Sequence, residues 1–362
     1  MPTLYVPMLK GKEGEFAALE MLTPDVKDIV TPLIEIPDIP YDYANERDAK
    51  TLDEHISGVP ERLLRCCGTG PLFLDLPLFG ENEHLADGRT ALEAILEGCT
   101  QRGTNVIPVI SRSSSEAYLT AAFAHSNETQ SGISVRLVVE DFEEDVNLEA
   151  EITRILAFAG PTGIVIADLI VDLGDLGADI ARASLLARYV LSQLPRPTEW
   201  RHVVLAAASF PEDLSDVDAA TTVTLPRHEW SLWKAIQRHP GKLPRRDLVF
   251  GDYAISHPVF KGLDPRVMRM SASIRYTTQD EWLIVKGRNV RQYGFAQYFE
   301  LCHLLVNRPE YCGSTFSWGD EYISNCAQRA IGPGNATTWR KVGVNHHITL
   351  VARAIANSLR DS

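Results

Sequence analysis

The stretch NVIPVISRSSSEAYLTAAFAH, residues 105–125, changes its hydrophobic period part of the way along. Its first part, NVIPVI, is a short apolar run rich in β-branched residues, which is typical of a buried strand. From Ser113 onward the apolar residues recur at the i, i+3, i+4 and i+7 spacing of a helix that packs one face on a sheet. A serine at this point also suits a helix N-cap. The stretch therefore predicts one strand followed by one helix.

The same change of period recurs along the whole chain. Eight apolar runs have the length and composition of strands, and most are separated by segments with helical spacing. The runs are LYVPML (4–9), IVTPLIEI (29–36), PLFLDL (71–76), NVIPVI (105–110), ISVRLVV (133–139), GIVIADL (163–169), HVVLAAA (202–208) and DLVFGD (247–252). Eight such units imply a parallel sheet with right-handed crossovers that closes into a (β/α)8 barrel of the TIM type. An open doubly wound sheet is the alternative, although no GxGxxG opens the first helix.

The pattern changes after the eighth run. Residues 272–288, ASIRYTTQDEWLIVKGR, alternate as an antiparallel hairpin, and GFAQYFELCHLLVN (294–307) is predicted to be the eighth barrel helix. The hairpin then forms an insertion at the C-terminal face of the barrel. We expect a single composite domain. Residues 1–252 supply the barrel strands, and residues 253–362 supply the hairpin, the last barrel helix and a helical C-terminal extension packed on the barrel.

Composition and charge narrow the classes of function. Hydrophobic residues make up 45% of the 362 residues and charged residues 23%, as in ordinary globular proteins. The net charge of −13 disfavours bulk binding of duplex nucleic acid. Residues 1–252 carry 22 basic and 40 acidic side chains, whereas residues 253–362 carry 13 and 8. A cationic tail docked over an acidic barrel mouth would assemble a site, and uneven surface charge is the alternative explanation.

Features of the chain that bear on location point to the cytoplasm. The N-terminus lacks the basic start and long apolar run of a signal peptide, and no stretch approaches 18 uninterrupted apolar residues. The cysteines form neither a CxxC zinc pair nor a dense disulfide framework; they are Cys66, Cys67, Cys99, Cys302, Cys312 and Cys326. We expect free thiols in a reducing compartment.

Ionisable side chains end many of the predicted strands, and such ends converge on the mouth of a barrel. They are Lys10, Glu35, Asp75, Arg112, Glu140 with Asp141, Asp168 and Asp252. Glu35, Asp75 and Asp168 stand out because each lies in an apolar context, where an unpaired carboxylate would be costly. We predict that these three are catalytic, as acid–base groups or as ligands of a divalent cation. A set of structural ion pairs would have the same sequence pattern.

A second polar cluster lies in the tail sequence GPGNATTWRKVGVNHHI, residues 332–348. His346 and His347 are predicted to be catalytic proton carriers. Adjacent histidines on a helix point about 100° apart, so one should face the site while the other packs. The predicted ligand-binding residues combine both clusters: Lys10, Arg112, Asp252, Tyr253, Arg275, Arg340 and Asn345.

Several motifs in this order resemble the beta family proteins, which are named after a beta protein of a T-even bacteriophage and occur in bacteria and phages. The motifs are YVPMLKGKEGEFAAL, TPLIEIP, NVIPVIS, GDYAISHP, IRYT followed by WLIVKGR, GFAQY and TTWRKVGVNHHI. The resemblance runs nearly from end to end of the chain. It implies a chain of this length and phage-linked or phage-defence gene neighbourhoods for some members. It supplies no catalytic residues.

The sequence leaves two main functions open. One is a hydrolase or lyase that acts on a phosphorylated small molecule or nucleotide at the barrel mouth. The other is a non-catalytic scaffold or sensor in a phage-defence or toxin–antitoxin-like system, with Trp230 and Trp233 on a helix that binds a protein partner. Nucleic-acid processing is a third, less favoured reading. Convergence of the polar residues in one pocket would favour the enzyme, and a mouth plugged by apolar side chains would favour the scaffold.

Overall fold

Eight parallel strands close into a barrel in the computed structural model, which describes residues 3–79, 83–160, 166–244, 247–259 and 270–360. The barrel strands and the strands outside the barrel are numbered together along the chain. They are β1 (Tyr5–Leu9), β2 (Leu33–Glu35), β3 (Tyr41–Asp42), β4 (Arg47–Asp48), β5 (Leu72–Asp75), β6 (Val106–Ser111), β7 (Ile133–Val138), β8 (Ala167–Asp175), β9 (Val203–Ala208), β10 (Thr222–Pro226), β11 (Leu248–Asp252), β12 (Ser271–Thr277) and β13 (Glu281–Asn289). Around the barrel the order is β1, β11, β9, β8, β7, β6, β5, β2, with every neighbouring pair parallel. The predicted TIM-type fold is confirmed.

Helices follow the barrel strands and cover their outer surface. They are α1 (Glu13–Glu20), α2 (Pro24–Lys27), α3 (Leu52–Ile56), α4 (Val59–Cys67), α5 (Ala91–Arg102), α6 (Glu116–Thr129), α7 (Leu148–Leu156), α8 (Ile180–Ser192), α9 (His228–Arg238), α10 (Val290–Tyr293), α11 (Tyr298–Val306), α12 (Trp318–Ala327) and α13 (Ala336–Arg360). Short 3-10 turns lie at Val139–Phe142 and Ala157–Ala159. The N-cap of α6 is Ser115, whose side chain accepts a hydrogen bond from the Tyr118 amide.

The sixth barrel strand lies further along the chain than the sequence indicated. We predicted residues 163–169, of which 163–165 lie outside the described residues, whereas β8 spans Ala167–Asp175. The apolar stretch GIVIADLIVDL is longer than one strand, and hydrophobic runs of this kind do not reveal where a strand starts. The shift moves Asp168 from the C-terminal to the N-terminal end of its strand.

The interior of the barrel is an apolar core between two polar ends. Alternate residues of each strand point inward, and they form a buried cluster of their own that includes Met8, Phe73, Val109, Ile170 and Val204. Two residues beyond Met8, Phe73 and Ile170, the same alternation reaches Lys10, Asp75 and Asp172 at the C-terminal end of the barrel. The sequence therefore positions the polar mouth by strand register alone.

The chain after β11 adds a small antiparallel sheet. Strands β12 and β13 form the predicted hairpin, and β10 joins the far edge of β13, giving the order β10–β13–β12. The sequence did not indicate β10, whose residues are mostly exposed. Helices α11 and α12 pack against this sheet around a second core that includes Tyr276, Leu283 and Cys302.

The eighth barrel helix is α13, and the prediction that residues 294–307 take this place is wrong. Helix α13 packs along α1 and touches β1, while α11, which covers most of 294–307, packs on the hairpin and α12. A Cβ at Gly14 in α1 would lie 2.8 Å from the carbonyl oxygen of Thr337, so glycine permits the close approach of the two helices.

Two predictions from composition can be compared with the described residues. All six cysteines are free thiols, and four of them are buried. Within the ranges that the structure describes, no helix is long and apolar enough to cross a membrane.

Candidate functional site at the barrel mouth

A cavity of about 830 Å³ opens at the C-terminal ends of β1, β2, β5, β6 and β7. Its polar lining includes Lys10, Lys12, Glu35, Asp75, Ser111, Arg112, Ser113, Ser114, Ser115, Tyr118, Arg136, Glu140 and Asp141. Apolar side chains, among them Leu76, Phe79 and Leu92, form part of the wall. The mouth is therefore an open cavity with a charged floor, and apolar side chains do not plug it.

Arg136 holds the charged floor together. Its Nη1 donates hydrogen bonds to Glu35 Oε1 and to Asp75 Oδ2, both at 2.7 Å. Its Nη2 donates to Asp172 Oδ2 at 2.6 Å and to the Tyr253 hydroxyl at 2.8 Å. The guanidinium thus satisfies three carboxylates at once, as its fork of donors allows.

Lys10 and Tyr253 complete the floor. The amine of Lys10 forms an ion pair with Glu35 and lies 5.2 Å from the centre of the Tyr253 ring. The Tyr253 hydroxyl donates to Asp172 Oδ2 at 2.5 Å. Burial raises the pKa of Tyr253 well above its usual value, and the charge of Asp172 raises it further. Tyr253 therefore remains a neutral donor at the base of the mouth.

Asp75 is the carboxyl group of the floor whose pKa is shifted toward neutral pH. Burial raises its pKa to about 6, the charge of Glu35 adds to the effect, and Arg136 opposes it. Tyr118 lines the same cavity, and burial followed by the charge of Asp75 raises its pKa. A carboxyl group with this pKa can both donate and accept a proton near pH 7.

A turn rich in serine forms one side of the cavity. The Ser111 amide donates to Ser114 Oγ at 2.9 Å, and Ser111 Oγ lies 3.0 Å from Ser113 Oγ. Arg112, which we predicted to bind the ligand, lines the cavity and donates through Nε to Asp141 Oδ1 at 2.7 Å.

Arg136, Asp172 and Lys12 are charged residues at the mouth that did not appear among the sequence predictions. Arg136 lies inside a strand-like run, where an arginine alternates with the buried Ser134, and this position is the signal that could have identified it. Asp172 lies beyond the predicted sixth strand, residues 163–169, whereas β8 extends to Asp175 and includes it. Lys12 follows Lys10 in the loop that leads into α1, and its spacing of two residues repeats the inward face of β1.

Asp168 lies at the opposite end of the barrel, so its predicted place at the mouth is wrong. Its carboxylate accepts hydrogen bonds from Arg201 Nε and His202 Nδ1, both at 2.9 Å. Burial would raise its pKa, but the hydrogen bonds from Arg201 and His202 outweigh burial and lower it. A separate cavity of about 530 Å³ is lined by these three residues and several threonines.

Asp252 and His347 face away from the mouth and join the barrel to the C-terminal helix. His347 Nε2 lies 2.9 Å from Asp252 Oδ2, and the Tyr5 hydroxyl donates to Oδ1 at 2.6 Å. The Thr277 hydroxyl lies 2.9 Å from the other ring nitrogen of His347. Both His347 and Asp252 are buried, so the structure does not bring them to the cavity.

His346 and Asn345 are also buried in contacts between elements. His346 Nδ1 lies 2.8 Å from Asp320 Oδ2, and its Nε2 lies 2.8 Å from the carbonyl oxygen of Thr277. Asn345 donates to the carbonyl oxygen of Ala18 and accepts from the amide of Gly319, both at 3.0 Å. The expectation that one of the two histidines faces the site is therefore wrong, because His346 and His347 are both buried where α13 packs on the rest of the protein.

Arg275 and Arg340 lie beside the mouth without lining the cavity. Arg275 donates to the carbonyl oxygen of Ile255 at 2.9 Å and stacks over the Phe210 ring at 4.9 Å. Arg340 Nη1 donates to Ser256 Oγ at 3.0 Å and lies 3.4 Å from Glu15 Oε1. Both cations stand close to the loop that carries Lys12.

The carboxylates of the mouth face cations that belong to the chain itself. Among the residues that the structure describes, no group of three or more His, Cys, Asp or Glu side chains is arranged to hold a metal ion. Glu35, Asp75 and Asp172 all approach the guanidinium of Arg136, which lies where a shared cation would have to bind.

The closed barrel and the charged cavity at its C-terminal end define a TIM-barrel protein whose polar groups gather at the usual face for ligands in this fold. The chain belongs to the beta protein family, because the family model described as Beta protein matches residues 5–353. The resemblance seen in the sequence is thereby confirmed. A comparison with curated proteins found no match.

Proposed function

We propose that the chain binds a compact phosphorylated molecule in the mouth cavity and acts on it as a hydrolase or lyase, with Asp75 as the acid–base group. The observation that supports this most directly is the position of Asp75, which lines an open cavity and has a pKa of about 6. A general acid or base works best when its pKa lies near the working pH.

The neighbours of Asp75 suit such a role. Arg136 donates to Asp75 and to Glu35 with the same Nη1 atom, so the two carboxyl groups compete for one positive charge. A proton on Asp75 relieves that competition, and its removal restores the full ion pair with Arg136. The protein can therefore store a proton at this place and release it to a bound molecule.

The walls fit a small ligand better than a polymer. The cavity of about 830 Å³ lies in the size range of small-molecule sites, and its lining combines the apolar side chains of Leu76 and Phe79 with serine hydroxyls and Arg112. A molecule with an anionic group and an apolar or planar body, such as a nucleotide, would suit such a mixed lining.

The alternative function as a scaffold is not supported by the surface that the sequence suggested for binding a protein partner. Trp230 and Trp233 are buried, and their rings pack on Phe250 at 5.1 Å and 5.4 Å between ring centroids. Helix α9 thus uses these rings for the barrel core. A protein partner in a phage-defence or toxin–antitoxin-like system becomes the favoured proposal if the cavity binds no small molecule.

Thermal melting against nucleotides, sugar phosphates and divalent cations tests the proposal. A ligand at 100 times its dissociation constant should stabilise the wild-type protein by about 2.7 kcal/mol. Asp75→Asn should still bind but should have lost turnover of any compound that the wild type converts, because the amide cannot carry the proton.

Asp168→Asn is a matched control, since Asp168 is also a buried aspartate of a barrel strand but lies at the other end of the barrel. It should lower the melting temperature and leave the ligand-induced shift unchanged. No shift with any compound would overturn the proposal, and a pull-down for a protein partner would follow.

A further inference from the structure

A second cavity lies at the N-terminal end of the barrel, opposite to the mouth. Its lining comes from the starts of β1, β2, β5, β6, β7, β8 and β9 and from the segments that lead into them. Its volume of about 530 Å³ falls within the range of roughly 300–1,000 Å³ that is usual for small-molecule sites. The proposed function makes no use of this cavity.

The lining is polar and has little net charge. Six hydroxyl side chains contribute to it: Thr3, Thr31, Thr100, Thr104, Thr129 and Ser131. Among the described residues that line the cavity, only Asp168 and Arg201 carry a permanent charge, and these two pair with each other through Arg201 Nε and Asp168 Oδ1 at 2.9 Å. The cavity therefore offers many hydrogen-bonding atoms and no uncompensated charge.

The hydroxyl groups of two threonines are left mainly as hydrogen-bond acceptors. The Thr100 hydroxyl donates to the carbonyl oxygen of Leu96 at 3.0 Å, and the Thr129 hydroxyl donates to the carbonyl oxygen of His125 at 2.8 Å. A hydroxyl has one hydrogen and two lone pairs, so each oxygen can still accept a bond after its hydrogen has been used by the backbone.

His202 adds a third acceptor. Its Nδ1 lies 2.9 Å from Asp168 Oδ1, and an ionised carboxylate can only accept, so Nδ1 carries the hydrogen and donates it. In the neutral ring, Nε2 is then an acceptor, and it has no hydrogen-bond partner in the part of the chain that the structure describes. The His202 side chain is 28% exposed, so a molecule in the cavity can reach it.

The hydroxyl of Thr104 is a buried polar group of the same wall. Thr104 is 5% exposed, and its Oγ1 has no hydrogen-bond partner among the described residues. A buried hydroxyl is costly unless a bound molecule or a water completes its hydrogen bonds. This observation is independent of the geometry of His202.

We infer that the N-terminal cavity is a second binding site, which takes a small uncharged molecule with several hydroxyl groups, the class of monosaccharides and cyclic polyols. Such a molecule supplies donors to the acceptors of Thr100, Thr129 and His202. Arg201 opposes the entry of a cation and Asp168 opposes that of an anion, so the pair favours a neutral ligand.

The site binds its ligand without converting it, since the chemistry of barrels of this type takes place at the C-terminal face. Binding here is also separate from the proposed function, because the two cavities lie at opposite ends of the barrel. Asp75→Asn, a change at the mouth, should therefore leave it unaffected.

Isothermal titration of the full chain with D-ribose, D-glucose and myo-inositol tests the inference. At least one of the three should bind, and cyclohexanol, which has a ring of similar size with a single hydroxyl, should bind at least tenfold more weakly. Binding of cyclohexanol as tight as that of the polyols would overturn the inference, because burial of apolar surface would then explain it.

Two variants place the bound polyol in this cavity. His202→Phe keeps a planar ring without its nitrogens, and Thr129→Val keeps the shape of the side chain without its hydroxyl. Each should weaken binding about two- to tenfold, the usual effect of one hydrogen bond. Thr120→Val is the matched control, since the Thr120 hydroxyl of the same helix donates to the carbonyl oxygen of Glu116 in the same way but does not line the cavity.

Unchanged affinity in both His202→Phe and Thr129→Val would overturn the assignment to this cavity. Failure of all three polyols to bind the wild type would overturn the inference as well. Neither result affects the proposed function, which depends on phosphorylated compounds and on Asp75.

Discussion

Asp75 shows how one residue takes its chemistry from its position in a strand. It ends β5 with its side chain inside the barrel mouth, where burial penalises the charge and Glu35 repels it. Arg136 supplies only part of the compensation, since its single positive charge is shared among Asp75, Glu35 and Asp172. The result is a carboxyl group that titrates near neutrality in a site that remains open to solvent.

The first prediction at this scale concerns stability and pH. The pKa of Asp75 is about 6 in the folded protein against 3.8 for an ordinary aspartate, so the folded state binds the proton more tightly between these values. Asp75 should therefore cost stability that grows as the pH rises from 4 to 6, by about 3 kcal/mol in total. Asp75→Asn lacks this cost, and its stability relative to the wild type should increase over the same interval.

Urea unfolding of both proteins at several values between pH 4 and pH 7.5 measures the difference, and the titrations of all other groups cancel in it. A difference that stays constant with pH would show that Asp75 titrates normally in the folded protein. A difference with the opposite slope would show that Arg136 dominates over burial.

At the scale of the element, strand β8 explains both a success and a failure of the sequence prediction. Asp168, Ile170 and Asp172 alternate along it and all face the interior, so the strand places a carboxylate at each end of the barrel. Composition reveals such a strand, but an apolar run longer than the strand does not reveal its ends. A shift of four residues exchanged Asp168 for Asp172 at the mouth.

The ends of several other barrel strands could be predicted more accurately, because a charged residue marks the point where the apolar run stops. Lys10, Glu35 and Asp75 follow short apolar runs directly, and all three meet at the cavity as their positions predicted. The tail was misread for a different reason. His346 and His347 look like functional residues in isolation, but their carboxylate partners Asp320 and Asp252 lie far away in sequence, and nothing local indicates such pairing.

The pair of His346 and Asp320 supplies the prediction for helix α13. Both side chains are fully buried, and the two ring nitrogens of His346 lie 2.8 Å from Asp320 Oδ2 and 2.8 Å from the carbonyl oxygen of Thr277. Burial would raise the pKa of Asp320, but His346 and the hydroxyls of Ser317 and Tyr276 together lower it. Because removal of either side chain leaves its buried polar partner uncompensated, His346→Phe and Asp320→Asn should each destabilise the protein by about 3–5 kcal/mol.

A double-mutant cycle by chemical denaturation checks the pair. The double variant should lose clearly less stability than the sum of the two single variants, since it leaves no unpaired charge. Lys234→Met, at an exposed ion pair, should cost less than about 1 kcal/mol in the same measurement. Additive losses would mean that the two side chains act independently.

At the scale of the whole molecule, the mouth of the barrel is divided between two uses. The cavity lies over β1, β2, β5, β6 and β7, while the small sheet contacts the segments that follow β9 and β11, where Arg275 donates to the carbonyl oxygen of Ile255. Trp282 of β13 packs edge-on against Phe210, just after β9, with 5.1 Å between ring centroids. The C-terminal third thereby packs on the β9 and β11 side of the barrel, and Arg340 contacts Ser256, two residues before Pro258 in the cavity lining.

Through helix α13, the C-terminal third of the chain becomes a part of the barrel itself. Its inward side chains belong to the same core as the barrel strands; they are Val344, Ile348, Val351, Ala352 and Ile355, with at most 5% of any of them exposed. Each of the four larger ones stabilises the fold by about 2 kcal/mol through burial. Their sum is comparable with the total stability of an ordinary domain, which is about 5–15 kcal/mol.

A chain that ends after Asn335 should therefore fail to fold, although it keeps all eight barrel strands. Loss of α13 exposes the groove beside α1, leaves Asp252 and Asp320 without their histidine partners, and removes Arg340 from the border of the cavity. Near-UV circular dichroism and the cooperativity of thermal unfolding measure the outcome. A matched chain that ends after Ala356 loses Asn357–Arg360, which are exposed, together with the last two residues of the chain, and should unfold like the full chain. If the chain that ends after Asn335 unfolds cooperatively near the wild-type temperature, the first 335 residues form a barrel that folds independently of α13.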